Sequence, residues 1–143
     1  MNNKATESLG YLTAKASFSL AAQLNREFLK YGIDLPHSQF IILSQLYETD
    51  GQTQQELADA LFKNKSAIKR TVDNLELRSY VKRIEKGKSF RIFLTDTGLM
   101  KKTELLKISE KTTKSILGII SKRDYERCAK ILKKIIKNTD GHS

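Results

Sequence analysis

At 143 residues, 39% of them hydrophobic and 29% charged, the chain is long enough for one domain of ordinary size with a core of its own, and it is not a disulfide miniprotein. The net charge of +10 and the pI of about 9.7 favour a polyanionic partner, because each Lys or Arg that neutralises a phosphate releases condensed counterions; charge alone leaves an anionic membrane surface or an acidic protein open. The single cysteine, Cys128, cannot close an internal disulfide, and residues 1–20 hold Glu7 and no uninterrupted apolar block, so neither a signal peptide nor a membrane span is expected and a cytoplasmic protein is.

From about Thr6 to Tyr31 the apolar positions Tyr11, Ala14, Phe18, Ala21 and Phe28 fall at helical spacing, with Leu20 and Leu24 beside them. Gly32 supplies a left-handed stop, and Pro36 suits the first turn of a second helix over Pro36–Glu48 that turns Phe40, Ile41, Leu43 and Leu46 inward. Asp50-Gly51 ends it. Thr53 and Glu56 then have the spacing of a capping box, opening a third helix with Leu57, Ala60 and Leu61 inside. Asn64 caps a fourth helix, Lys65 to about Ser79, with Ile68, Val72 and Leu75 inward and Ser66, Lys69, Arg70 and Asp73 outward.

Two strand-like runs follow, Tyr80–Glu85 and Ser89–Leu94, around a Lys86-Gly87-Lys88 turn; Phe90, Ile92 and Leu94 alternate with Ser89, Arg91 and Phe93, the period of a half-buried strand. Thr95 caps a fifth helix over Asp96–Leu117, which Gly118 interrupts. Ser121 and Asp124 open a last helix with Cys128, Ile131, Leu132, Ile135 and Ile136 on one face and Lys130, Lys133, Lys134 and Lys137 on the other; Asn138–Ser143 is expected to fray.

Two short helices followed by a small hairpin make a winged helix-turn-helix, so the fold class is mainly α with a small β-wing. Charge follows this division. Residues 63–91 carry ten basic and three acidic side chains, against four basic and seven acidic in residues 1–62. The second helix of such a pair lies in the DNA major groove with its N-terminal residues nearest the bases. Lys65, Ser66, Lys69 and Arg70 are therefore the candidate reading residues, Arg70 for a guanine edge and Lys65 and Lys69 for phosphates. Lys86 and Lys88 flank the hairpin tip, where a cation reaches a phosphate or the minor groove, and Arg91 follows on the wing strand.

The Lys-rich face of the last helix reads as a solubilising surface. Its apolar face, with that of the first helix, exceeds what a small winged domain covers, which points to pairing with a second copy. Cys128 on that stripe reads as a buried, inert thiol. His37 and His142 are far apart and build no metal site; His37, at a helix start, is a weak pointer to a small-molecule pocket. No Gly-rich phosphate loop, nucleophile elbow or usefully spaced Cys/His pair supports an enzyme, and no cofactor is expected. The alternative on residues alone is an interaction module whose basic face meets an acidic protein.

The segments LPHSQFIILSQL and QQELADALFKNKSAIKRTVDNLELRSYVKR, followed by FLTDTG, resemble the MarR family of bacterial transcription regulators. The resemblance implies one domain over 1–143, with a DNA-binding lobe at 33–98 and dimerisation helices at 5–32 and 99–138. It also implies a homodimer on a palindromic operator, repressing transcription and often released by a small aromatic ligand. Ser66, Lys69 and Arg70 match the family's recognition-helix contacts. Two positions depart from the family pattern. Lys86-Gly87-Lys88 stands where an Asp-x-Arg wing signature is common, which implies a wing grip that is either weaker or confined to phosphates, with Arg91 as a partial substitute, since lysine is a hydrated point charge and not a planar fork. Ser79 stands where glycine often closes the recognition helix. Redox-sensing members carry a cysteine in the first-helix region, and this chain has none there.

Overall fold

The structure, a computed structural model, describes residues 4–140, and His142 lies outside them. Seven α-helices and a three-stranded antiparallel sheet follow in the order α1 (Leu9–Lys30), α2 (His37–Glu48), β1 (Gln52–Thr53), α3 (Gln54–Leu61), α4 (Lys65–Leu77), β2 (Val81–Lys86), β3 (Ser89–Leu94), α5 (Asp96–Met100), α6 (Lys102–Leu117) and α7 (Lys122–Asp140). A short 3-10 turn at Ala5–Glu7 precedes α1. The chain divides into two compact units, Met1–Glu110 and Lys111–Ser143.

The core lies in the first unit. Phe28 of α1 meets Phe40 of α2 edge-on at 5.1 Å between ring centroids, and Ile42, Leu43, Leu46, Leu57, Ile68, Val72, Leu75, Val81, Ile92 and Leu105 close around them. Burial of so many branched and aromatic side chains supplies the stabilisation of this unit. α1 contributes only Leu24 and Phe28; Tyr11 and Phe18 on its apolar stripe are exposed, as expected of a helix whose apolar face exceeds what the winged domain covers. In α2, Ile42 is buried and Ile41 only half-buried, reversing the expected order of that pair.

Local chemistry sets the helix ends. Thr53 and Glu56 form the reciprocal capping box: the Glu56 N–H donates to Thr53 Oγ1 at 3.1 Å and the Thr53 N–H to Glu56 Oε2 at 3.0 Å. The inner pair of α3 is Leu57 and Ala58, while Ala60, expected inside, is exposed. On an eight-residue helix the core lies against the 57/58/61 arc, and residue 60 falls on the far side of Leu57. Asn64 Oδ1 accepts from the Ala67 N–H at 2.7 Å and starts α4. That helix stops at Leu77, two residues before the expected end, because Ser79 turns left-handed at φ 61 and the Tyr80 N–H closes on the Leu75 carbonyl at 3.0 Å.

Strand order is β1-β3-β2. The β2–β3 hairpin pairs Val81 with Leu94 through to Lys86 with Ser89, so the loop is Gly87-Lys88 alone and Lys86 belongs to β2. Gly87 has φ +65, which glycine adopts without steric cost. β1 was not apparent in the sequence; its two residues pair with Arg91 and Ile92 of β3. Of the alternating set Phe90, Ile92 and Leu94, only Ile92 is fully buried; Phe90, near the wing tip, is exposed.

The helix expected over Asp96–Leu117 is two, broken at Lys101, where nothing in the residue type signals a stop. α5 begins with Thr95 Oγ1 accepting from the Gly98 N–H at 3.0 Å. Gly98 packs so closely that a Cβ there would collide with the Tyr80 carbonyl oxygen. Tyr47 donates its hydroxyl to the Gly98 carbonyl at 2.7 Å, and burial, with Tyr80 beside it, pushes the phenol up to about 12. α7 starts where Ser121 Oγ accepts from the Asp124 N–H at 3.1 Å and stays helical to Asp140, past the expected fraying point. It buries no residue within the chain, and Cys128 is exposed, against the expectation of a buried thiol; its stripe has no cover of its own.

Candidate nucleic-acid interface

The inner stripe of α4 holds the helix firmly: Ile68 is 2% exposed and Val72 and Leu75 are fully buried. That anchoring turns Lys65, Ser66, Lys69 and Arg70 to solvent from its first two turns. Among the described residues the side chains of Lys65, Ser66 and Arg70 make no hydrogen bond or ion pair within the chain. Lys69 differs, because its Nζ lies 3.2 Å from Asp73 Oδ2 one turn on. Arg70 is therefore the free guanidinium of this helix, and Lys65 the free ammonium.

Arg83 of β2 ties the wing to the helix. Its Nη2 donates to Asp73 Oδ1 at 2.6 Å and to the Lys69 carbonyl at 3.3 Å, and its Nη1 donates to Glu76 Oε1 at 2.9 Å. The Arg83 backbone N–H also donates to Glu76 Oε2 at 3.2 Å. Hydrogen bonds from Lys69 and then Arg83 hold the Asp73 carboxyl below the usual carboxylate range. Arg83 was not singled out from the sequence; the only signal is the pair of acids Asp73 and Glu76, one turn apart on α4, with an arginine soon after.

The wing tip bears Lys86 and Lys88, both exposed; Lys86 Nζ sits 6.0 Å from the Phe93 ring centroid. Lys88 and Phe90 line an open cleft of about 420 Å³ whose other walls are Gln54 and Gln55 at the start of α3 and Lys65 at the start of α4. The structure thus brings the expected residues Lys65 and Lys88 to one depression, although 23 positions separate them. Arg91 is elsewhere engaged: its Nη1 donates to the Gly51 carbonyl at 2.9 Å and lies 3.7 Å from Glu56 Oε2. It braces the β1–α3 corner and keeps only part of its fork for an outside partner.

His37 begins α2, half-buried, with its Nδ1 enclosed and without a partner, 6.4 Å from the Phe40 ring centroid. Burial, and then Lys63, lower its pKa below the ordinary imidazole value. Among the described residues no group of three or more His, Cys, Asp or Glu is placed to hold a metal ion, and no helix is long and apolar enough to cross a membrane.

Residues 33–88 match the sequence profile of the MarR family. An HTH-type transcriptional regulator of Bacillus subtilis, YybA, is 23% identical over 111 residues, 76% of this chain and 74% of that one. Two solved structures superpose closely. The MepR–DNA complex of S. aureus has a TM-score of 0.82 at 21% identity, over 92% of this chain and 98% of that one. BpsR of Bordetella bronchiseptica, whose DNA binding is regulated by 6-hydroxynicotinic acid, has a TM-score of 0.81 at 17% identity, over 94% and 98%. At such identities the structural likeness establishes the fold.

Proposed function

We propose that this chain, which belongs to the MarR family of transcription regulators, works as a homodimeric repressor whose two recognition helices enter successive major grooves of a pseudo-palindromic operator. One observation carries the reading: the N-terminal face of α4 is rigidly backed, solvent-exposed and basic, and Lys65, Ser66 and Arg70 on it have no intramolecular partner among the described residues. Arg70 reads a guanine O6/N7 edge, while Lys65 and Lys69 hold phosphates. Lys86 and Lys88 take the backbone beside the same groove, and Arg91 adds a weaker contact because Gly51 and Glu56 already engage it.

The homodimer rests on apolar faces without cover in a single chain. Ile131, Leu132, Ile135 and Ile136 of α7 are 39–55% exposed, and Phe18 of α1 is 69% exposed. Residues 33–98 form the DNA-binding lobe, and residues 5–32 and 99–138 the helices that pair. Release from DNA by a small aromatic ligand completes the reading, supported by BpsR, whose DNA binding 6-hydroxynicotinic acid regulates.

Selection of bound sites from random duplexes by the purified protein tests the reading. A pseudo-palindromic motif with half-site centres about 10 bp apart is expected. Salt-sensitive binding with no sequence motif would instead favour a basic interaction module for an acidic protein.

A further inference from the structure

The Lys69–Asp73 pair of α4 differs from the Lys122–Glu126 pair of α7. Lys122 and Glu126 on α7 approach only to 4.0 Å, and Glu126 has no second partner among the described residues, so either side chain swings away freely. Asp73 cannot. Its Oδ1 is tied to Arg83, whose side chain is only 16% exposed and whose guanidinium is held also by Glu76 and by the carbonyl of Lys69 itself. The carboxylate is therefore fixed on the outward face of the recognition helix with Oδ2 presented to the Lys69 ammonium at 3.2 Å. The four side chains Lys69, Asp73, Glu76 and Arg83 carry two positive and two negative charges, a locally neutral cluster within a strongly basic segment of the chain.

We propose that Asp73 is an affinity-limiting residue of the DNA surface: anchored by Arg83, its carboxylate competes with DNA phosphate for Lys69 and weakens binding to every duplex alike. The proposal rests on the DNA-binding reading above and assigns a regulating role to a residue outside the contact set. To reach a phosphate, the Lys69 ammonium must leave a carboxylate that cannot follow it, so part of the gain from counterion release is offset. Phosphates are the same in all sequences, so this restraint leaves base preference to Arg70, which has no such tie.

Binding to a random-sequence duplex, measured by fluorescence anisotropy across a salt series, tests the proposal with Asp73→Asn, Lys69→Gln, the double variant and Glu126→Gln. Asp73→Asn keeps the Arg83–Glu76 pair, and its melting curve checks that the fold is intact. At about 0.1 M salt Asp73→Asn is expected to bind roughly two- to fivefold tighter, the range of an exposed ion pair, with a log–log salt slope steeper by up to about one. In the Lys69→Gln background the same change is expected to add nothing. Glu126→Gln, which alters the net charge by the same one unit on α7, is expected to match the wild type. Unchanged or weaker binding by Asp73→Asn overturns the proposal, as does a gain that persists without Lys69 or that Glu126→Gln reproduces. Failure of the wild type to bind any duplex would remove the DNA-binding reading and this proposal with it; a wild type that binds beside an Asp73→Asn without gain removes this proposal alone.

Discussion

The helices α4 and α7 carry the same design on paper: an apolar stripe at helical spacing and a face of lysines and arginines opposite. Their fates differ. The stripe of α4, Ile68, Val72 and Leu75, disappears into the core, while that of α7 stays open to solvent, with Ile131 at 55% and Ile135 at 40% exposure. Amphipathic spacing therefore tells which side of a helix seeks an apolar partner, and nothing about where that partner is. The same contrast separates their charges. Those of α4 are held in register by a backed helix and a braced wing, whereas Lys130, Lys133, Lys134 and Lys137 stand on a helix with no buried residue.

The largest effect that sharpens this contrast is in the two stripes. Leu75→Ala is expected to cost about 2–5 kcal/mol of unfolding free energy in urea titrations at any protein concentration, since the side chain is fully buried. Ile135→Ala is expected to stay within about 0.5 kcal/mol in dilute solution. Its cost should grow with concentration as the proposed dimer forms, with sedimentation reporting the oligomer. A concentration-independent loss at Ile135 would mean that the stripe is covered within one chain.

On the polar faces, Arg70→Ala is expected to cost about 1–3 kcal/mol of operator binding and to relax preference at one base pair in competition assays. Lys88→Ala should weaken all duplexes alike and flatten the salt slope by about one, whereas Lys133→Ala on α7 should leave both unchanged. Equal effects from Lys88 and Lys133 would erase the distinction between the two basic faces. The smallest effect concerns how α4 stops. Ser79→Gly is expected to raise stability by up to about 1 kcal/mol in thermal melts, because the residue at φ 61 no longer places a Cβ in the left-handed region.

Much of the fold was legible because it depends on short-range chemistry. The Thr53/Glu56 box, the Asn64 cap, the Thr95 cap and the Ser121 cap all form as their spacing foretells, since each joins residues three apart. The strand β1 was hidden because two residues have no periodicity, and it exists only by pairing with β3. The break at Lys101 and the exposure of Ala60 likewise depend on where neighbouring elements lie. Within the candidate site, Lys65, Ser66, Lys69, Arg70, Lys86 and Lys88 emerged from charge and position on their elements. The ties of Arg91 to Gly51 and of Arg83 to Asp73 did not, because those partners stand 40 and 10 residues away.

By itself the sequence determined the capped starts of α3, α4, α5 and α7, the wing, the inward triad of α4 and the placement of positive charge, all properties of residues within a few positions of one another. Tertiary structure alone decided which cations are free. Arg70 and Lys69 are neighbours of similar charge, yet only Lys69 faces an anchored carboxylate, because the fold lays β2 against α4 and brings Arg83 to Asp73. It also decided that the opposite ends of the winged segment, Lys65 and Lys88, share one cleft. Such pairings join residues far apart along the chain, and only the packing of the elements that carry them sets their distance.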